Sequence, residues 1–216
     1  MGARGRSGGT AGASLLVKRV LDIAGALAGL VLLAPLLLVV GALVRATSPG
    51  PALFRQTRVG AGGRTFSMLK FRSMHRDSDD APHRDYVMRL MHGQVDADGG
   101  LYKLSGDLRV TRVGAVLRRL SLDELPQLVN VLRGDMSLVG PRPVLPWEVY
   151  LLPPWATPRF SVRPGITGLW QVSGRSRLTM LEALALDVKY VRTRSCWLDL
   201  WILTRTVPVI LGGGGR

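Results

Sequence analysis

The chain has 216 residues, a formal net charge of +14 and 47% hydrophobic residues, which excludes both a disordered polycation and a multidomain assembly and leaves one domain with a buried core. Its single cysteine, Cys196, excludes a disulfide framework and a multi-cysteine metal site and fits a reducing compartment. Of 29 cationic residues only Lys18, Lys70, Lys103 and Lys189 are lysines; guanidinium pairs bidentately with phosphate and carboxylate, although a GC-rich genome produces the same bias.

Residues 1–14 are rich in Gly, Ala, Ser and Arg without periodicity and read as a disordered basic tail that can touch anionic lipid. From Ile23 to Val44 there are 22 uncharged residues, a helix about 33 Å long at 1.5 Å per residue, matching a bilayer core of about 30 Å. Lys18 and Arg19 flank it on one side and Arg45 on the other, so charge does not choose an orientation. Pro35 lies mid-segment, where its missing N–H and its ring predict a kink or break. Three readings follow: a cleavable signal peptide, disfavoured because the run exceeds the usual apolar region of about 7–15 residues and no small-residue cleavage site precedes Arg45, a proline-kinked spanning helix, or a re-entrant hairpin with both ends on one face. Asp22 either pairs with Arg19 or lies at the headgroup level.

Ser48-Pro49-Gly50-Pro51 ends the helix, and Ala52–Val59 and Thr65–Met74, joined by Gly60–Gly63, read as a β-hairpin. Alternation places Lys70 and Arg72 on one face of its second strand. Residues 76–100 form a surface excursion with a short helix around Tyr86–Met91, and His75, His83 and His92 lack a metal-ligand pattern. Helices are expected near Thr111–Leu120 and from Leu122 to about Leu132, and between them Ser121-Leu122-Asp123-Glu124 reads as a capping box. Arg112, Arg118, Arg119 and Arg133 surround that acidic pair in a chain with 15 acidic residues. Carboxylates in such a setting should stay ionised and be able to bind Mg²⁺ or attack phosphorus. Rigid Pro/Gly loops then present Arg142 (134–143) and Arg163 and Arg175 (162–175). An amphipathic helix spans Thr179 to about Arg194, and Trp197–Leu211, expected to be broken by Pro208 and too short to span a bilayer, is either an interfacial helix or a core helix.

In order, KRVLDI (18–23), SPGPALFRQTRVG (48–60), KFRSM (70–74), LRRLSLDELPQLVNVLRGDMSLVGPRP (117–143), RPGITGLWQVSGR (163–175) and LDVKYV (186–191) resemble the bacterial sugar transferases, the monotopic polyprenyl-phosphate phosphoglycosyl transferases. The resemblance runs from Lys18 to about Val209 and lacks the multi-span N-terminal domain of longer members. It implies transfer of a sugar 1-phosphate from a UDP-sugar to polyprenyl phosphate with release of UMP. By resemblance Asp123 is the nucleophile, forming an acyl-phosphate and helping to hold Mg²⁺, and Glu124 assists activation of the acceptor. Lys70, Arg118, Arg142 and Arg175 match the family's phosphate-binding cations, and Asp187 matches a further functional acid of open role. Pro35 matches the proline at which the family's membrane helix breaks; the serine that precedes it there is Ala34 here.

The resemblance implies a predominantly helical α+β fold with a re-entrant membrane helix (15–47), a cytosol-facing catalytic domain (48–211) carrying a small β-hairpin and interfacial amphipathic helices, and a short tail (212–216). The implied site is the cytoplasmic face of a bacterial inner membrane. The implied partners are a UDP-sugar, polyprenyl phosphate and anionic lipid, without nucleic acid and with room for a homodimer. Charge alone suggests two rivals, a nucleic-acid-binding protein and a non-catalytic membrane scaffold. The first leaves the apolar segment unexplained, and the second leaves the acid pair among arginines a coincidence.

Overall fold

In the computed structural model, which describes residues 7–76, 80–91, 93–94, 101, 106–174 and 178–211 (backbone alone for 7–13 and 211), the apolar segment is two helices. Helix α1 (Ser7–Leu32) and helix α2 (Ala34–Thr47) meet at Leu33 with a bend of 64°. Pro35 sits in the first turn of α2, where a missing N–H goes unnoticed, whereas a continuous helix would drive its ring into the carbonyl of Val31. No side chain caps the break; Leu33 N–H bonds Gly29 O at 2.9 Å and Leu37 N–H bonds Leu33 O at 2.8 Å. Helix α1 extends back to Ser7, into the stretch expected as a tail. A helix already nucleated by the apolar run propagates cheaply.

Both arms of the bent pair are fastened to the same body. On α1, Arg19 donates to the carbonyls of Val131 (2.7 Å) and Leu132 (3.0 Å), and Lys18 pairs with Asp199 at 2.6 Å. Asp22 does not pair with Arg19: it is buried, and its Oδ1 accepts from Ser137 Oγ and from Leu138 N–H, both at 3.0 Å. Asp22→Ala would leave the Leu138 N–H without its acceptor, while the Ser137 hydroxyl keeps Val139 O at 2.9 Å. The expected cost is about 1–3 kcal/mol, read by thermal unfolding of the purified protein. On α2, Val40 and Val44 pack with Phe71 and Leu117.

The expected hairpin is present as β1 (Leu53–Val59) and β2 (Thr65–Phe71), antiparallel in the register Leu53↔Phe71 to Val59↔Thr65. Arg72 lies one residue beyond β2 and borders the same cleft as Lys70. Its guanidinium donates to Ser48 O (2.7 Å), Ser48 Oγ (2.9 Å) and Pro49 O (2.8 Å), tying the exit of α2 to the hairpin. It crosses Gly50, whose φ of +109° and lack of Cβ make room for it.

Helix α3 (Ala81–Met91) starts earlier than the expected Tyr86, and α4 (Arg112–Arg119) is capped by Thr111, whose side chain accepts from Gly114 N–H. The helix expected over 122–132 is split. Leu122–Glu124 is a single 3₁₀ turn, and α5 (Gln127–Arg133) follows Pro126. The capping box does not form: Ser121 is left-handed (φ 54°, ψ 20°) and makes no side-chain cap. Pro126 has no N–H to give the Leu122 carbonyl, and its ring would clash there, so an α-helix cannot start at 122.

The two Pro/Gly loops contain strands that local patterning does not announce, β3 (Ser137–Val139) and β4 (Gly165–Thr167), paired in parallel. Short α6 (Leu169–Ser173) leads towards α7 (Met180–Thr193), whose N-terminus is a Thr179/Glu182 capping box. Helix α8 (Cys196–Leu211) runs through Pro208 unbroken. Its Ile202 packs with Val139, Leu169 and Tyr190, while Trp197 (80% exposed), Leu200 and Val207 are bare. The structure is mainly helical with a small antiparallel hairpin, as expected, with a second two-stranded sheet added.

Candidate active site

Ser121 turns the chain out of α4 so that the acidic pair stands on the 3₁₀ turn between α4 and α5. Asp123 and Glu124 line a cleft of about 630 Å³, and Lys70 from β2, Arg118 from the end of α4 and Arg142 from the loop after β3 line it with them. Glu124 Oε1 is 2.9 Å from Lys70 Nζ and 3.9 Å from Arg142 Nη1. Asp123 is buried, and its carboxylate acts on Arg118: burial draws that guanidinium below its usual range, while Asp123 and Asp107 oppose the shift.

Three of the four cations expected to bind phosphate thus converge on the acid pair, from sequence positions 70, 118 and 142. The fourth, Arg175, lies outside the described residues, as does His92. Of the four arginines expected to surround the pair, only Arg118 reaches the cleft; Arg112, Arg119 and Arg133 are exposed elsewhere on α4 and α5. Arg163 spends its Nε on Gly134 O at 2.9 Å, closing the end of α5.

Asp187 does not line the cleft. It is 2% exposed, bonded at 2.7 Å to Arg159, and burial pushes its carboxyl up to about 6 against the pull of Arg159 and Arg142. It sits on the face of α7 that packs into the body.

Arg58, Arg109 and Trp170 also line the cleft and were missed. Arg58 lies inside the quoted SPGPALFRQTRVG block, so its alternation with Gln56 along β1 was an available signal. Arg109 had none, because Asp107 and Asp80 hold it from a segment without periodicity.

Among the described residues no three His, Cys, Asp or Glu side chains converge. Mg²⁺ does not need such a cage. It takes one or two carboxylates and completes its shell with water and substrate phosphate, so Asp123 fits it as a ligand while Glu124 is held by Lys70.

The bacterial sugar transferase profile matches residues 13–213, and the chain belongs to that family. It is 47% identical over 205 residues to the UDP-glucose:undecaprenyl-phosphate glucose-1-phosphate transferase of Caulobacter vibrioides, covering 91% of this chain and 70% of that protein. It is 41% identical over 195 residues to the exopolysaccharide production protein ExoY of Rhizobium meliloti, covering 90% and 85%. It is 39% identical over 214 residues to the UDP-N-acetylgalactosamine-undecaprenyl-phosphate N-acetylgalactosaminephosphotransferase of Aeromonas hydrophila, covering 92% of this chain but 44% of that longer protein.

Proposed function

We propose that the protein is a monotopic membrane enzyme that transfers a sugar 1-phosphate from a UDP-sugar to polyprenyl phosphate at the cytoplasmic face of the inner membrane. The observation that carries this reading is the convergence of Asp123 and Glu124 with Lys70, Arg118 and Arg142 on one cleft. An oxygen of the Asp123 carboxylate bonds to the sugar-bearing phosphorus. The bond from that phosphorus to the bridging oxygen breaks, and UMP leaves with that oxygen. A phosphate oxygen of polyprenyl phosphate then attacks the same phosphorus, the carboxylate departs, and the sugar is left on a polyprenyl diphosphate.

Two anions cannot meet unless the charge between them is offset, and phosphoryl transfer is catalysed mainly by positioning and electrostatic stabilisation. Lys70, Arg118 and Arg142 supply that offset, Arg175 joins them by resemblance, and Mg²⁺ held by Asp123 would draw charge from the phosphoryl oxygens. Glu124 has the place of a base for the incoming phosphate. A panel of UDP-sugars assayed for Mg²⁺-dependent UMP release with polyprenyl phosphate tests the reading. Release from at least one donor is expected; release from none contradicts it.

Re-entry rests on the two anchored arms. Ile23–Leu32 and Ala34–Val44 each rise about 15 Å, half of a bilayer core of about 30 Å. Leu32 (77% exposed) and Leu38 (76%) are bare around the bend, while Lys18 and Arg19 at one end and Ser48 at the other are tied to the catalytic body. A spanning helix would part those ends by a bilayer. In a Cys196→Ser background, Ser14→Cys and Thr47→Cys should react with an impermeant thiol reagent from the same side of sealed vesicles. Reaction from opposite sides contradicts re-entry.

A further inference from the structure

Arg142 reaches Glu124 from the loop Gly140-Pro141-Arg142-Pro143, in which two of four residues have no N–H. Such a loop is held largely through its carbonyls: Gly165 N–H holds that of Pro141 at 2.9 Å, Gly140 N–H bonds Thr167 O at 2.9 Å, and two buried arginines hold the carbonyls of Arg142 and Pro143. Arg159 Nη2 donates to Arg142 O at 2.7 Å and to Asp187 Oδ2 at 2.7 Å. Arg58 Nη1 donates to Pro143 O at 3.2 Å and lies 3.8 Å from Glu148 Oε2, which accepts Leu145 N–H at 2.7 Å. The backbone of the residue that carries the cleft guanidinium is therefore pinned by the Arg159–Asp187 ion pair.

We infer that Arg159, seated on Asp187, is a positioning residue that fixes the Arg142 backbone and, through it, the place of the Arg142 guanidinium beside Glu124. Neither Arg159 nor Asp187 lines the cleft, and both are nearly inaccessible, at 3% and 2%. Stability does not account for the pair. Desolvating two charges offsets most of their attraction, and apolar replacements are often neutral or stabilising. The pair also leaves Arg159 Nε, Arg159 Nη1 and Asp187 Oδ1 buried without a hydrogen-bond partner, a cost that apolar side chains would avoid. What apolar side chains could not do is hold the Arg142 carbonyl. Misplacement of a binding group by about 1 Å costs on the order of a hundredfold in rate, so the strut acts on activity through Arg142.

The inference rests on the transfer reaction proposed above, and its test separates the two. The full chain in lipid nanodiscs is compared with Arg159→Met, Arg142→Met and the double variant, by UMP release from the best donor of the panel and normalised to folded protein. Arg159→Met should lose about tenfold to a hundredfold, and the double variant should fall within about twofold of Arg142→Met alone, because groups acting through one another are not additive. Losses that multiply would overturn the positioning role, since a merely structural defect would add to that of Arg142. Asp187→Asn, which keeps an acceptor for Arg159, should lose less than Arg159→Met and be equally non-additive with Arg142→Met. Multiplicative loss there would overturn the role even if Arg159→Met failed to fold. Without substrate, amide hydrogen exchange in residues 140–145 should rise at least about tenfold in Arg159→Met or, failing that variant, in Asp187→Asn. Unchanged exchange would overturn the strut whether or not any UDP-sugar is turned over, whereas rising exchange without turnover would uphold the strut and refute the reaction.

Discussion

Asp123→Asn should abolish UMP release, by about 10⁴-fold or more, in a protein that unfolds at nearly the wild-type temperature. The amide is almost isosteric with the carboxylate, and the apolar cluster of Val40, Val44, Phe71 and Leu117 that joins α2, the hairpin and α4 does not depend on its charge. What it lacks is the anionic oxygen that bonds phosphorus, and no neighbouring group can replace it: Glu124 is held by Lys70 at 2.9 Å. A 10⁴-fold loss corresponds to about 5–6 kcal/mol of transition-state stabilisation, the scale expected when a nucleophile is removed and only the electrostatic cradle remains. Glu124→Gln should differ in kind. It leaves the first displacement possible but slows the second by about 10²–10⁴, the range for a lost general base, and it also releases Lys70. An Asp123→Asn enzyme with unimpaired turnover would remove the assigned nucleophile.

The largest effect on stability is expected from Gly114→Ala. Helix propensity alone favours the change by about 1 kcal/mol, yet a Cβ at 114 would overlap the Ser73 carbonyl oxygen and stand 2.6 Å from its carbonyl carbon. That carbonyl accepts Thr111 N–H at 3.0 Å and so joins the chain after β2 to the start of α4. Neither partner can yield, because both are backbone. The overlap must push α4 outward, at a cost at or above about 3 kcal/mol. Thermal unfolding should shift down by roughly 6–12 °C. Because α4 carries Arg118 and leads into the dyad turn, activity per folded molecule should fall as well. A midpoint within about one degree of wild type would show that α4 is not packed on Ser73 as described.

These two residues mark how far the sequence could be read. The hairpin was legible because its alternation and its glycine turn are local, and the break near Pro35 was legible because proline lacks an N–H and crowds the preceding turn, although α8 runs through Pro208 unbroken and so shows that packing can override this. The acid pair and three of its cations were grouped on a resemblance rather than on spacing, since Lys70, Arg118 and Arg142 come from separate elements, and the fold brings them to one cleft. The capping box failed for a local reason that was available: Pro126 forbids an α-helix from 122, and Ser121 then takes a left-handed turn that no propensity for serine announces. Strands β3 and β4 have three residues each, too few for any period, and pair across 28 positions of chain. The partners of Asp22 and of Asp187 lie 115 and 28 positions away, at Ser137 and Arg159. Close backbone approach at Gly114 left no trace beyond the glycine itself.

The most direct test of the account is a single-turnover experiment without acceptor. Purified enzyme mixed with Mg²⁺ and its UDP-sugar, but no polyprenyl phosphate, should release a burst of close to one UMP per chain. It should also gain the mass of one sugar phosphate on the peptide that contains Asp123, and lose it again when polyprenyl phosphate is added. UMP released only in the presence of acceptor, with no mass gained by the chain, would contradict a covalent intermediate on Asp123.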